Sequence, residues 1–169
     1  MRCYSSFSEM EELLTRNHFD FFIPKKTVMR RTRKGERLIE APLVPPYIFV
    51  HSDYATLDAF KRPLSTLLYA KQLYSDGSHT TITVADKEME DFIRVVSQQT
   101  QQVRIFPARE LDLHAGQRIR LCGGPLDGVE GVLLKIKGIR DKQLVVSISG
   151  IMDVTAPVDR IFVQLLDEA

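Results

Sequence analysis

The sequence predicts an α+β protein in two parts, an antiparallel sheet with helices followed by a small all-β barrel. Three observations carry that reading. Apolar residues in roughly the first hundred positions switch between helical spacing and strict alternation. A polar run, Ser97-Gln98-Gln99-Thr100-Gln101-Gln102, then interrupts the apolar pattern. After it come short β-branched runs punctuated by Gly and Pro. With 169 residues, 44% of them hydrophobic, the chain has apolar material for a packed core and length for one large or two small domains. We place a first domain over 1–98, a linker over 99–109 and a second domain over 110–169.

The first helix opens at Ser8-Glu9-Met10-Glu11, a capping box in which Ser8 caps the N–H of Glu11, and Met10, Leu13 and Leu14 mark its apolar face. Phe19 to Ile23 reads as a strand, Thr27 to Ala41 as a hairpin turning near Lys34-Gly35, and Tyr47 to Val50 as a further strand. Asp53 caps a short helix bearing Tyr54, Leu57 and Phe60 that Pro63 stops. Thr66 to Tyr74 and Thr80 to Val84 alternate as a strand pair around Asp76-Gly77. A last helix is capped by Asp86 and shows Met89, Phe92, Ile93 and Val96 on one face.

In the second domain, strands are expected over 118–121, 131–137, 144–149, 152–156 and 161–165, a spacing that suits a small barrel whose closure removes exposed edges. Val145, Val146, Ile148, Ile151 and Val154 are poor helix formers, which argues for strands there. Gly116, Gly123-Gly124-Pro125, Gly128 and Gly131 match neither GxGxxG nor a GKS or GKT loop. They are read as turn residues.

Net charge is +1, so any basic site must be local. Lys25, Lys26, Arg30, Arg31, Arg33, Lys34 and Arg37 supply it: seven cations in thirteen residues, opposed only by Glu36. On a protruding hairpin such charge contacts phosphate and releases counterions. Tyr47 and Phe49 share one strand face, Ile48 and Val50 the other, and one pair must turn away from the helices. His18, His51, His79 and His114 are scattered and no nucleophile sits in an elbow, so no enzymatic activity is expected. Cys3 and Cys122 are far apart, which disfavours a metal site and a disulfide alike, and no cofactor is implied. The longest apolar stretch, around Leu43 to Val50, is short and broken by Pro45-Pro46, which argues against a membrane span and for a cytoplasmic protein.

The stretch from Leu113 to Ile136, with Gly116 before Gln117 to Leu121, then Gly124-Pro125-Leu126-Asp127-Gly128, Gly131 and Val132-Leu133-Leu134, resembles the KOW motif. That resemblance implies an SH3-like KOW barrel. Phe22-Ile23-Pro24, the basic hairpin and Pro42-Leu43-Val44-Pro45-Pro46-Tyr47-Ile48-Phe49-Val50 resemble the N-terminal domain of NusG-like transcription elongation and antitermination factors. Pro46-Tyr47 without the usual Gly is more similar to the specialised RfaH-like and capsular polysaccharide operon antiterminators. Two features depart from the family pattern. Met1-Arg2-Cys3-Tyr4 stands where a Trp-led strand usually opens, and Val44 where Phe is frequent.

The resemblance implies a monomeric factor without catalytic chemistry that binds the clamp helices of bacterial RNA polymerase and suppresses pausing or termination at particular operons. By position, Tyr47, Phe49 and Leu67 would contact polymerase, and Arg30, Arg31, Arg33 and Lys34 would approach the nucleic acid of the elongation complex. The KOW domain implies a ribosomal protein or Rho as a further partner. The competing reading is a ribosome-associated or RNA-binding KOW protein. Against it, Lys25 to Arg37 contains no aromatic residue on which bases could stack.

Overall fold

The computed structural model describes residues 1–32, 35–98, 103–108, 110–148, 150–158 and 162–166. The chain divides into two compact units, Met1–Thr81 and Ile82–Ala169.

The first unit runs β1 (Arg2–Cys3), α1 (Phe7–Arg16), β2 (Asp20–Phe22), β3 (Lys25–Thr32), β4 (Gly35–Pro42), β5 (Phe49–His51), α2 (Tyr54–Lys61), β6 (Leu67–Leu68), β7 (Lys71–Leu73) and β8 (His79–Thr81). β5 pairs with β2, and β1 with β6, all antiparallel. The residues leading into β5 join these ladders: Arg2 bridges Tyr47, the Cys3 N–H donates to the Pro46 carbonyl at 2.7 Å and the Ile48 N–H to that of Met1 at 2.9 Å. The antiparallel order is therefore β2, β5 with its leader, β1, β6. The helices cover one face of it. Met10 and Leu14 of α1 pack with Cys3, Ile23, Ile48 and Leu67, and Phe19, Phe21, Val50 and Phe60 complete this core. Phe60 lies 4.7 Å from Phe19, ring to ring. β3 and β4 form a separate two-stranded ribbon, as do β7 and β8.

Two helix starts differ from the sequence reading. The cap of α1 is Ser6, whose hydroxyl accepts from the Glu9 N–H at 3.4 Å, so Ser8 lies inside the helix. Both Ser6 and Ser8 stand three residues before a Glu. The shift brings Phe7 into the first turn, where it joins the core. α3 begins after Ala85, with Asp86 as its first helical residue and no side-chain cap. Asp53 caps α2 as expected, its carboxylate accepting from the Thr56 N–H at 2.9 Å.

The second unit holds α3 (Asp86–Ser97), β9 (Arg104–Pro107), a single 3-10 turn at Leu113–Ala115, β10 (Gln117–Cys122), β11 (Glu130–Leu134), β12 (Gln143–Ile148), β13 (Met152–Pro157) and β14 (Phe162–Leu165). The strands form one antiparallel sheet ordered β14-β10-β11-β12-β13-β9. β9 lies within the stretch read from sequence as a linker, where two apolar residues between Arg104 and Pro107 give too short a pattern to mark a strand. β12 and β13 are buried on both faces. On one, Val145 packs with Leu134 and Ile136 under Phe106, Leu111, Leu113 and Ile139. Leu144, Val146, Ile148, Met152, Val154 and Ala156, all buried, point the other way. α3 packs against the same two strands through a side carrying buried Phe92, Val95 and Val96. Gly131 leaves no room for a side chain against β12: a Cβ there would stand 2.4 Å from the Val145 carbonyl oxygen.

Candidate functional site: two faces of the first unit

Because strand side chains alternate, the face opposite the helices can be read residue by residue. Ile48 and Val50 take the core side with Leu67 and Cys3. Tyr47, Phe49 and His51 therefore point away. The registers place Phe22 beside Phe49, Asp20 beside His51, and Arg2 between Tyr47 and Leu68. The outer face is thus a row of Phe22, Phe49, Tyr47, Arg2 and Leu68, ending at the exposed pair His51 and Asp20, 3.8 Å apart.

Tyr47 is half-buried and held in place by Arg2. The Arg2 guanidinium donates from Nη2 to the Tyr47 hydroxyl at 3.1 Å and lies 5.5 Å from its ring centroid, a cation–π contact. Hydrogen bonding to Tyr47, and secondarily to Tyr4, raises the Arg2 pKa above its ordinary value. Phe49 is buried at 8% exposure. Leu67 is fully buried on the core side, while Leu68, one residue on, is 45% exposed and lies on the Tyr47 side. The structure thus brings Tyr47 and Phe49 together on the outer face and leaves Leu67 beneath it. Arg2 and Leu68 escaped the sequence reading, since both follow from pairings that connect distant segments.

The ribbon of β3 and β4 sorts its charge by face. Its pairs run from Lys25–Pro42 through Thr27–Glu40, Met29–Leu38 and Arg31–Glu36 on one side. That side is balanced: Lys25 contacts Glu11 at 2.7 Å and Glu40 at 3.8 Å, and Arg31 stands opposite Glu36. Its centre is apolar and exposed, Met29 at 65% and Leu38 at 68%. The other side pairs Lys26 with Ala41, Val28 with Ile39 and Arg30 with Arg37. It carries three cations and, among the described residues, no carboxylate. Arg30 and Arg37 are directly opposite, an arrangement that costs roughly 0.2–1 kcal/mol when nothing neutralises it. Arg30 and Arg31, grouped by sequence, therefore face opposite ways, and Arg37 joins Arg30. Arg33 and Lys34 lie outside the described residues.

Among the described residues no group of three or more His, Cys, Asp or Glu is placed to hold a metal ion, and no helix is long and apolar enough to cross a membrane.

A search of curated proteins gave no match. A family model, NusG, described as transcription termination factor nusG, matches residues 1–93 and so takes in both faces. That match spans more than half of the chain, and the protein belongs to the NusG family, transcription factors that act in elongation and termination and interact with RNA polymerase.

Proposed function

We propose that this protein is a transcription antitermination factor of the specialised RfaH-like or capsular-operon kind, which docks the outer face around Tyr47 and Phe49 on the clamp helices of bacterial RNA polymerase. The observation that carries this reading is the two-sided sheet. One face is filled by α1 and α2, and the other carries half-buried Phe22 and Tyr47 on either side of buried Phe49, with Tyr47 oriented by Arg2 and an exposed Leu68 beside it. Aromatic and arginine side chains held in fixed positions are the groups that dominate protein interfaces, because little rotamer freedom is lost on binding. Leu67 acts from below, keeping Leu68 and Arg2 in register.

The basic side of the β3–β4 ribbon approaches nucleic acid in the elongation complex, and the second unit is a KOW barrel of the SH3-like type that recruits a ribosomal protein or Rho. Polymerase binding together with the ribbon suppresses pausing or termination at particular operons. A pull-down with the full chain as bait tests the reading. Core RNA polymerase is expected to be retained in the absence of ribosomes. Retention of ribosomes or ribosomal RNA without polymerase would instead favour a ribosome-associated KOW protein.

A further inference from the structure

We propose that Arg30 and Arg37 grip a single backbone phosphate of nucleic acid between them, with Lys26 on another phosphate further along, and that Arg31 takes no part. This rests on the reading of the ribbon as a nucleic-acid contact and assigns that contact to one of its faces.

The pairing register sets Arg30 opposite Arg37, which puts their Cβ atoms about 5 Å apart. Each guanidinium offers five N–H donors in a planar fork and no acceptor, so the two cannot satisfy one another. Both are exposed, and the only other charge on their face among the described residues is the cation Lys26. A tetrahedral anion between them removes the repulsion and accepts from both forks, and phosphate oxygens match that geometry.

Spacing points to a phosphodiester chain over a free anion. Lys26 lies four residues from Arg30 along β3, about 14 Å at about 3.4 Å per residue. With side chains standing roughly perpendicular to the sheet, a ligand with phosphates at regular intervals meets both ends of that separation, whereas one phosphate would have to draw the two side chains together along the strand. Among the described side chains, the others on this face, Val28, Ile39 and Ala41, supply neither an aromatic plane for stacking nor an Asn or Gln for a base edge. Recognition is accordingly independent of sequence. Arg31 stands on the opposite side, in register with the carboxylate Glu36, and points away from the track.

The test uses the full chain and a fluorescent mixed-sequence DNA duplex, with anisotropy read across a salt series. The parent is expected to bind at low salt, and failure to bind overturns the proposal. The double variant Arg30→Ala/Arg37→Ala is expected to lower the slope of log K against log salt by about 1, the contribution of one phosphate at about 0.9. A fall of about 2 would mean one phosphate per arginine and would overturn the shared grip. Arg31→Ala is expected to leave the slope unchanged. If it lowers the slope as much as the double variant does, the assignment to one face fails while the nucleic-acid reading of the ribbon stands; if no variant changes it, both fail. The double Lys variant, Arg30→Lys/Arg37→Lys, keeps the charge and loses the forks, so the slope should persist with several-fold weaker binding; undiminished affinity would contradict the grip. Inorganic phosphate at equal phosphate concentration should not displace the duplex, nor should polyglutamate at equal charge. Displacement by the first would indicate a free-anion site, and by the second an acidic protein surface, each against the proposal.

Discussion

Leu67 and Leu68 are one residue apart, yet the sheet separates their roles completely. Leu67 reaches the core beside Cys3 and Ile48, and Leu68 stands on the outer face beyond Arg2. Leu67→Ala is expected to cost about 3 kcal/mol of stability, as large-to-small changes in a packed core do. Leu68→Ala should stay within about 0.5 kcal/mol, as surface changes do. Urea unfolding followed by circular dichroism measures both, and equal costs would contradict the register of β1 with β6.

Asp153 of β13 gives a second test at this scale. It is buried at 4% exposure; the Ser147 hydroxyl donates to Oδ1 at 2.6 Å, and Oδ2 is buried with no hydrogen-bond partner. Burial raises its pKa above the ordinary aspartate value, and the Ser147 hydrogen bond only partly opposes this. A proton held more tightly in the folded chain than in the unfolded one stabilises the fold fully below the unfolded pKa of about 3.9, and that contribution disappears as pH rises through the raised folded value. Asp153→Asn is therefore expected to add about 1 kcal/mol at neutral pH. It should add much less in acid. Glu130 has the opposite sign: its hydrogen bond from Arg120, at 2.6 Å, lowers its pKa, so the stability it contributes is lost as pH falls through that lowered value. Thermal unfolding of the Asn variant and the parent at both pH values isolates the Asp153 share, and an equal gain at the two would refute it.

Among the elements, α3 changes most in meaning between sequence and structure. Its apolar spacing was legible in Met89, Phe92, Ile93 and Val96, but periodicity says nothing about which sheet a helix covers. That is settled by groups far away in sequence. Asp91, buried within α3, accepts from Lys87 at 2.6 Å and from the Glu130 N–H at 3.2 Å. Lys87 also donates to the Gly128 carbonyl at 3.0 Å, and Arg94 to that of Asp127 at 2.6 Å. These bonds tie the helix to the turn between β10 and β11. A fragment of residues 82–169 is expected to unfold cooperatively, while 108–169, lacking α3 and β9, should be less stable by more than about 3 kcal/mol, since burying Phe92 and Val95 contributes about 1.5–3 kcal/mol each. Equal unfolding midpoints would show that α3 is dispensable to this unit.

The ribbon shows how much was readable and why the rest was not. The run from Lys25 to Arg37 announced a basic hairpin, and residues 25–32 pair with 35–42 as a continuous ladder. Sorting its cations by face requires the register, and a slip of one residue would have sent every side chain to the other face. The helix caps illustrate the same limit: Ser6 and Ser8 offer equivalent local chemistry, and core packing of Phe7 separates them. Strands of the second unit were found where β-branched residues alternate, at β12 and β13, and overlooked at β9, whose four residues acquire meaning only against β13.

At the scale of the whole molecule, the family match covers the first unit and continues into α3, so the chain's role in transcription rests on residues 1–93. The proposed docking face makes a demand that family membership does not: polymerase affinity must depend on Tyr47, oriented by Arg2, independently of the fold. The direct measurement is a titration of core RNA polymerase with the full chain and with Tyr47→Ala, each first checked for unchanged circular dichroism. The variant is expected to bind at least about 30-fold more weakly, corresponding to about 2 kcal/mol for an aromatic anchor. A correctly folded variant that binds core polymerase as tightly as the parent would contradict the assignment of this face.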